Sequence, residues 1–343
     1  MSGETPSSYN VTIDPTGIEK NFHGPGKKVL PENDYSHTGK DFLAPSLIRE
    51  QFVLYLLALA NIPGVPRLTH EDSRISFPNQ NPFDTTSPPD LIKLRITKLP
   101  GKDLFDPSWT FSPKMALRVL TETSGIMETV LDKTPVTAHG DLKPGNIVFH
   151  YKQGAGIIDW ATVMIKTVKY PMSFVTPEYS SLLHLLPGNL PSEHDDVVSL
   201  AKTGLYILLD QYYPPLPTMT GSSAWQKILS MNVAKDYPDL ELIPRVAAHH
   251  RLLICLISEW LDQIPAQPGK LKQLFNITSA DLPRLNGQTK RLLVLLRDVL
   301  QKDIDYSCQC LQNDNSTESS PLTMTKFHQN LVSINKVFEQ PCQ

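Results

Sequence analysis

The chain opens with short alternating runs and turns gradually helical. Val11-Thr12-Ile13-Asp14, Pro15-Thr16-Gly17 and Ile18-Glu19-Lys20-Asn21-Phe22 predict strand, turn and strand. Ser46 to Ala60 is a strongly apolar helix that stops before Asn61-Ile62-Pro63-Gly64-Val65-Pro66. Leu91 to Thr97 alternates like a strand, and Met115, Leu117, Leu120, Ile126 and Val130, following Ser112-Pro113, predict a helix over 115–131. Ile147-Val148-Phe149 and Gly156-Ile157-Ile158, on either side of a polar stretch from His150 to Ala155, predict a β-hairpin. Helices follow from near Asp196, over Pro244–Ile264, over Thr289–Asp303 and, after a polar break at Gln312–Ser320, over Thr323–Phe338.

The hairpin is where the pattern acquires chemistry. Its two ends fold back on each other, so Asn146, just before the first strand, and Asp159, just after the second, emerge side by side. Mg²⁺ and Mn²⁺ take hard oxygen ligands and keep several waters together with substrate phosphates, so one amide and one carboxylate suffice. Asp141, five residues before Asn146, is left to accept a proton from an attacking hydroxyl, and Lys143 to neutralise a moving phosphoryl group.

Composition narrows the class. With 343 residues, 40% hydrophobic and 20% charged, the chain has room for a catalytic domain and an appendage of ordinary globular composition. No apolar run reaches membrane-spanning length, and Met1–Asn10 lacks the apolar core of a signal peptide, so a cytoplasmic protein without a transmembrane segment is expected. A net charge of −3 gives no support for nucleic-acid binding. Cys255, Cys308, Cys310 and Cys342 form neither a disulfide framework nor a zinc pattern and are expected as free thiols. Prolines cluster at Pro78–Pro89 and Tyr212–Pro217. Lys270, Lys272, Arg284, Lys290, Arg291, Arg297 and Lys302 stand against Asp281 and Asp298. On one face they would receive a polyanion such as an inositol phosphate, an anionic lipid headgroup or a phosphoprotein; otherwise they are a solvated face of packed helices. His249-His250 reads as helix surface or core.

His139-Gly140-Asp141-Leu142-Lys143-Pro144-Gly145-Asn146 and the later Asp159-Trp160-Ala161 resemble the catalytic loop and the magnesium loop of the protein kinase superfamily in its broad sense. Thr176-Pro177-Glu178 is similar to the tripeptide that closes the activation segment, and Asp196-Val197-Val198-Ser199-Leu200 to the helix that supports the catalytic loop. The resemblance implies an α+β, two-lobed kinase-like fold: an abbreviated N-lobe over 1–98, a C-lobe over 99–265 and a helical extension over 266–343. It implies ATP with Mg²⁺ or Mn²⁺, Asp141 as base, Lys143 on the transferred phosphate, and Asn146 and Asp159 as metal ligands. Leu99-Pro100-Gly101-Lys102-Asp103-Leu104 is similar to the hinge, whose backbone near Lys98 and Leu99 would bind adenine. Glu50, in the first turn of the predicted helix, would pair with a phosphate-binding lysine; Lys20 is preferred over Lys27 and Lys28 because Ile18–Phe22 resembles the strand that carries it. No glycine-rich G-x-G-x-x-G precedes Lys20, which leaves Gly24-Pro25-Gly26 to cover the phosphates.

Two departures pull in different directions. Gly140 stands where many regulated kinases carry an arginine, and His-Gly-Asp is the form of aminoglycoside and choline phosphotransferases, whereas Asp-Leu-Lys-Pro is the protein Ser/Thr kinase form. Trp160-Ala161 removes the glycine that lets the magnesium loop flip. The resulting expectation is a kinase that phosphorylates a hydroxyl, with protein Ser/Thr first. A small-molecule kinase, a pseudokinase acting as a binding module and an AMP-transferring enzyme are the alternatives. The reduced N-terminal sheet and the extension also resemble bacterial effector kinases delivered into host cells.

Overall fold

The computed structural model describes residues 8–15, 17–23, 40–69, 73–76, 91–166, 176–185, 189–217, 242–262, 282, 285–312 and 320–336. Gly24-Pro25-Gly26, Lys27, Lys28, Pro78–Pro89, Lys270, Lys272, Asp281, Arg284, Phe338 and Cys342 lie outside these residues.

The fold mixes helices with small antiparallel sheets. Strands β1 (Ser8–Ile13) and β2 (Ile18–His23) form the predicted hairpin, in register from Ser8 opposite His23 to Ile13 opposite Ile18. Asp14 closes the turn: its N–H donates to Gly17 O at 3.0 Å, and its carboxylate accepts the Gly17 N–H at 2.9 Å. A third strand, β3 (Arg74–Ser76), and β4 (Leu91–Ile96) complete a sheet of order β1-β2-β4-β3, which sets Lys20 opposite Leu94. Helix α1 (Lys40–Leu59) packs on β4 and starts six residues before the expected Ser46. Val53, Leu54 and Leu57 are fully buried, and the helix stops where Asn61 adopts a left-handed φ of 52°, a conformation asparagine tolerates.

Beyond β4, the short strand β5 (Lys102–Asp103) leads to helix α2 (Pro113–Lys133). Ser112 caps α2 by accepting the Met115 N–H, and Pro113 occupies the first turn, where its missing N–H costs no helical bond. Strand β6 (Val136–Ala138) precedes the predicted hairpin, β7 (Ile147–His150) and β8 (Gly154–Ile157), and β9 (Met164–Ile165) pairs back onto β6. Sheet order β5-β7-β8 holds the hairpin, with Ile147 opposite Ile157.

Helices α3 (Glu193–Leu209), α4 (Leu242–Asp262), α5 (Gly287–Gln312) and α6 (Met324–Lys336) follow. They share a hydrophobic core with α1, β4 and α2, to which α5 contributes Leu292, Leu296 and Leu300 and α6 contributes Phe327 and Leu331. Approach in this core is close. A Cβ on Gly204 of α3 would lie 2.6 Å from Leu120 Cδ1 of α2 and 3.3 Å from Leu296 Cδ1 of α5. Among the described residues, no helix is long and apolar enough to cross a membrane, and Cys255 and Cys308 are free thiols.

Helix α5 runs nine residues past the expected Asp303 because the apolar period breaks there while the helix does not. Its inward position 303 is a fully buried carboxylate. Asp303 Oδ1 lies 2.8 Å from His194 Nε2 of α3, its Oδ2 lies 2.9 Å from His250 Nε2 of α4, and the Leu182 N–H donates to it at 2.8 Å. His249 and His250 are thus core residues. Burial pushes the His249 ring down to about 3 and the His250 ring below its ordinary value, with Lys202 repelling both. A histidine held neutral in the fold is protonated below pH 6.5 only in the unfolded chain, so acid favours unfolding from about pH 6.5 down to the folded value. His249→Gln is expected to flatten the fall of stability between pH 7 and 5, by about 1 kcal/mol per pH unit, and with it the fall of the thermal midpoint. An unchanged slope in a pH series of melts would remove His249 from this account.

Candidate active site

Five short segments converge at the ends of the hairpin. The Asn146 carbonyl accepts the Ile158 N–H at 2.9 Å, so the entry to β7 and the exit from β8 are tied together and Asp159 follows directly. Asp159 adopts a left-handed backbone, φ 62° and ψ 67°, and Trp160–Thr162 then turns as a short 3-10 helix against which α1 packs. Trp160 is fully buried: its ring meets His139 with centroids 4.8 Å apart, and its indole N–H donates to Ile157 O.

Lys20 reaches this point from the middle of β2. Its Nζ lies 2.8 Å from both Glu50 carboxylate oxygens and 2.9 Å from Asp159 Oδ1. Lys20 is 8% exposed and Glu50 0%. Burial raises the Glu50 pKa, with the Lys20 ammonium opposing and the Asp159 charge adding to the rise. Burial also pushes Asp159 up, but the charge and hydrogen bond of Lys20 outweigh it and leave this carboxyl below its ordinary value.

Asp141 lies at the centre of a second cluster. Lys143 Nζ donates to Asp141 Oδ2 at 2.6 Å and to Thr176 Oγ1 at 2.9 Å, and the Thr176 hydroxyl donates to Asp141 Oδ1 at 2.8 Å. The Asn146 amide donates to the Asp141 carbonyl at 2.8 Å and to Oδ2 at 3.1 Å. Thr176 was not among the residues expected here from sequence. The available signal was a hydroxyl where the activation-segment tripeptide ordinarily begins with alanine.

The loop is held from behind by Asp196 in the first turn of α3. Its carboxylate accepts the His139 N–H at 2.6 Å and the Gly140 N–H at 3.0 Å. Burial pushes Asp196 up to about 8, and those two N–H groups hold it back. His139 is fully buried, which depresses its pKa; the neutral ring donates from Nε2 to Ile158 O at 3.1 Å. Gly140 takes φ +80°, and a Cβ there would sit 2.9 Å from Thr162 O. An arginine at 140 would therefore carry backbone strain in this conformation. Gly140→Ala is expected to cost about 1–2 kcal/mol in urea unfolding, through backbone strain and the contact with Thr162. A loss below a few tenths would show that the loop relaxes freely.

The remaining expected residues lie further out. Lys98 is exposed just past β4, while Leu99 is half-buried and would be 2.6 Å from a Cβ on Gly156 of β8. They border the hairpin without joining either ionic cluster. Among the described residues, no group of three or more His, Cys, Asp or Glu converges as a metal site. The oxygens of Asn146 and Asp159 still suit a hard cation that draws its other ligands from water and phosphate.

Residues 44–170 match the phosphotransferase enzyme family, APH. That family belongs to the protein kinase-like superfamily, the superfamily resembled by the motifs at His139–Asn146 and Asp159–Ala161. The APH match contains Glu50, Asp141, Lys143, Asn146 and Asp159, while the β1-β2 hairpin with Lys20 precedes it and Thr176 and Asp196 follow it. It supports phosphoryl transfer as the reaction class, with ATP and a divalent cation in the general sense of that family. No curated protein matches the chain.

Proposed function

We propose that this chain is an ATP-dependent phosphotransferase that moves the γ-phosphoryl group to a hydroxyl, with a protein serine or threonine as acceptor. The observation that carries the reading is the triangle of Asp141, Lys143 and Thr176. It fixes a carboxylate beside an ammonium and ties both to the Thr176-Pro177-Glu178 segment, along which a polypeptide acceptor would approach. Asp141 accepts the acceptor proton as its oxygen attacks in line, and Lys143 balances charge on the phosphoryl group in passage. Lys20, oriented by Glu50, takes the nucleotide phosphates, and backbone groups near Lys98 and Leu99 take the adenine. Asn146 and Asp159 would hold Mg²⁺ or Mn²⁺, which would neutralise charge developing on the phosphates. Asp159, held by Lys20 at 2.9 Å, would supply the carboxylate to that cation. In this reading residues 1–98 form a small N-lobe, 99–265 a C-lobe and 266–343 a helical extension.

The APH match together with Gly140 favours a second reading, a small-molecule kinase. Incubation with γ-labelled ATP and Mg²⁺ or Mn²⁺ separates the two. Label on the chain itself or on protein substrates supports the first reading, and label on sugars, choline or inositols supports the second. Saturable ATP binding without turnover, or a product mass increased by AMP, would overturn both.

A further inference from the structure

Helices α5 and α6 leave a groove between them, with a volume of about 500 Å³. Its floor is apolar: Val197 of α3, Val299 of α5, and Phe327 and Ile334 of α6 are buried there. Val294, 37% exposed, stands at its wall. Four exposed cations ring it, Lys290, Arg291 and Lys302 from α5 and Lys326 from α6, against one carboxylate, Asp298. Among the described residues none of these four has a carboxylate partner, whereas Asp298 has Arg297 at 3.7 Å. Two rows along one helix face produce this arrangement, 290-294-298-302 and 291-295-299, which is the spacing of neighbours on an α-helix.

We propose that this groove binds a single-chain anionic amphiphile, an acyl or alkyl tail bearing a phosphate or carboxylate head. Volume and lining fit a small ligand of that kind, since pockets of about 300–1,000 Å³ with mostly apolar walls and a few convergent polar groups are typical of small-molecule sites. A bare polyanion would leave the apolar floor wet, and a neutral hydrocarbon would leave the excess of cations along the rim uncompensated. The tail lies on Val299 and Phe327, and the head meets Lys302 of α5 and Lys326 of α6 at the rim. The floor residue Val197 follows Asp196, so a bound tail rests on the helical turn that holds the His139-Gly140 backbone.

Dodecyl phosphate, kept below its micelle concentration, is the probe, read by titration calorimetry and by the thermal midpoint of the full chain. One molecule is expected to bind per chain and to raise the midpoint, with inorganic phosphate and decanol each binding at least about tenfold more weakly. Lys302→Glu with Lys326→Glu is expected to weaken dodecyl phosphate by about tenfold or more, and Val294→Trp, which fills the groove from an exposed helix position, to abolish binding with an unchanged ligand-free midpoint. Equal binding by Val294→Trp and the parent chain would overturn the proposal, as would decanol binding as tightly as dodecyl phosphate or a midpoint that only falls. Binding confined to phosphatidylglycerol vesicles, or to an acidic amphipathic peptide in place of dodecyl phosphate, would reassign the groove to a membrane or to a protein partner.

Discussion

Asp141→Asn is expected to lower phosphoryl transfer by about a thousandfold while the thermal midpoint stays within a few degrees, because loss of a positioned general base costs about 10²–10⁴ in rate. The asparagine keeps the shape of the side chain and one acceptor oxygen. It cannot take the proton of the attacking hydroxyl, and its amide N–H₂ would face at least one of the donors now aimed at the carboxylate, Lys143 and Thr176. Single-turnover rates at saturating ATP isolate the effect from nucleotide binding. A variant retaining more than about a tenth of the rate would show that Asp141 is not the base and that the Lys143-Thr176 triangle is structural.

The second large effect concerns the buried ion pair. Lys20→Met is expected to destabilise the fold by about 3 kcal/mol, and Glu50→Leu by less, because breaking a buried pair from one side strands the other charge. The two sides are unequal here. Without Lys20, Glu50 remains fully buried with the Asp159 carboxylate nearby, whereas without Glu50 the lysine still has Asp159 at 2.9 Å. The sign of the pH effect follows. In Lys20→Met the Glu50 pKa stands above its unfolded value, so the protonated form is favoured in the fold and the penalty grows as pH rises through that pKa. The Lys20→Met deficit relative to the parent chain is thus expected to shrink as pH falls from 7 towards 5. Lys20→Met/Glu50→Leu, which removes both charges, should recover most of the stability and none of the phosphotransfer. Urea unfolding of the four proteins at two pH values tests all of this; a double variant no more stable than Lys20→Met would refute the ion-pair account.

Several features of the site were legible because they are local. The β7-β8 hairpin follows from two apolar runs and a polar turn, and once it forms, the nearness of Asn146 and Asp159 is a matter of strand pairing. The Ser112-Pro113 start of α2 follows from capping chemistry in the same way. Lys20 and Glu50 are a harder case. Thirty residues separate them, and their contact depends on β2 pairing with β4 while α1 packs on that strand. Here the family resemblance supplied the pairing, which composition and periodicity do not contain.

Other features depended on the assembled fold. Thr176 meets Asp141 and Lys143 across more than thirty residues of chain, so its hydroxyl had no local reason to stand out. Helix α5 outruns its apolar pattern because Asp303 breaks the stripe that marks a helix face, and His194, His250 and the Leu182 N–H, all far off in the chain, make a carboxylate tolerable there.

By itself the sequence determined the local elements: strand alternation, the capped start of α2, and the loop that spaces Asp141, Lys143 and Asn146. Tertiary structure decided which charges share a dielectric. Lys20 lies between Glu50 and Asp159, Asp303 between two histidines, and four cations around an apolar groove, because burial and electrostatic pairing depend on distance in space and a linear pattern records only distance along the chain.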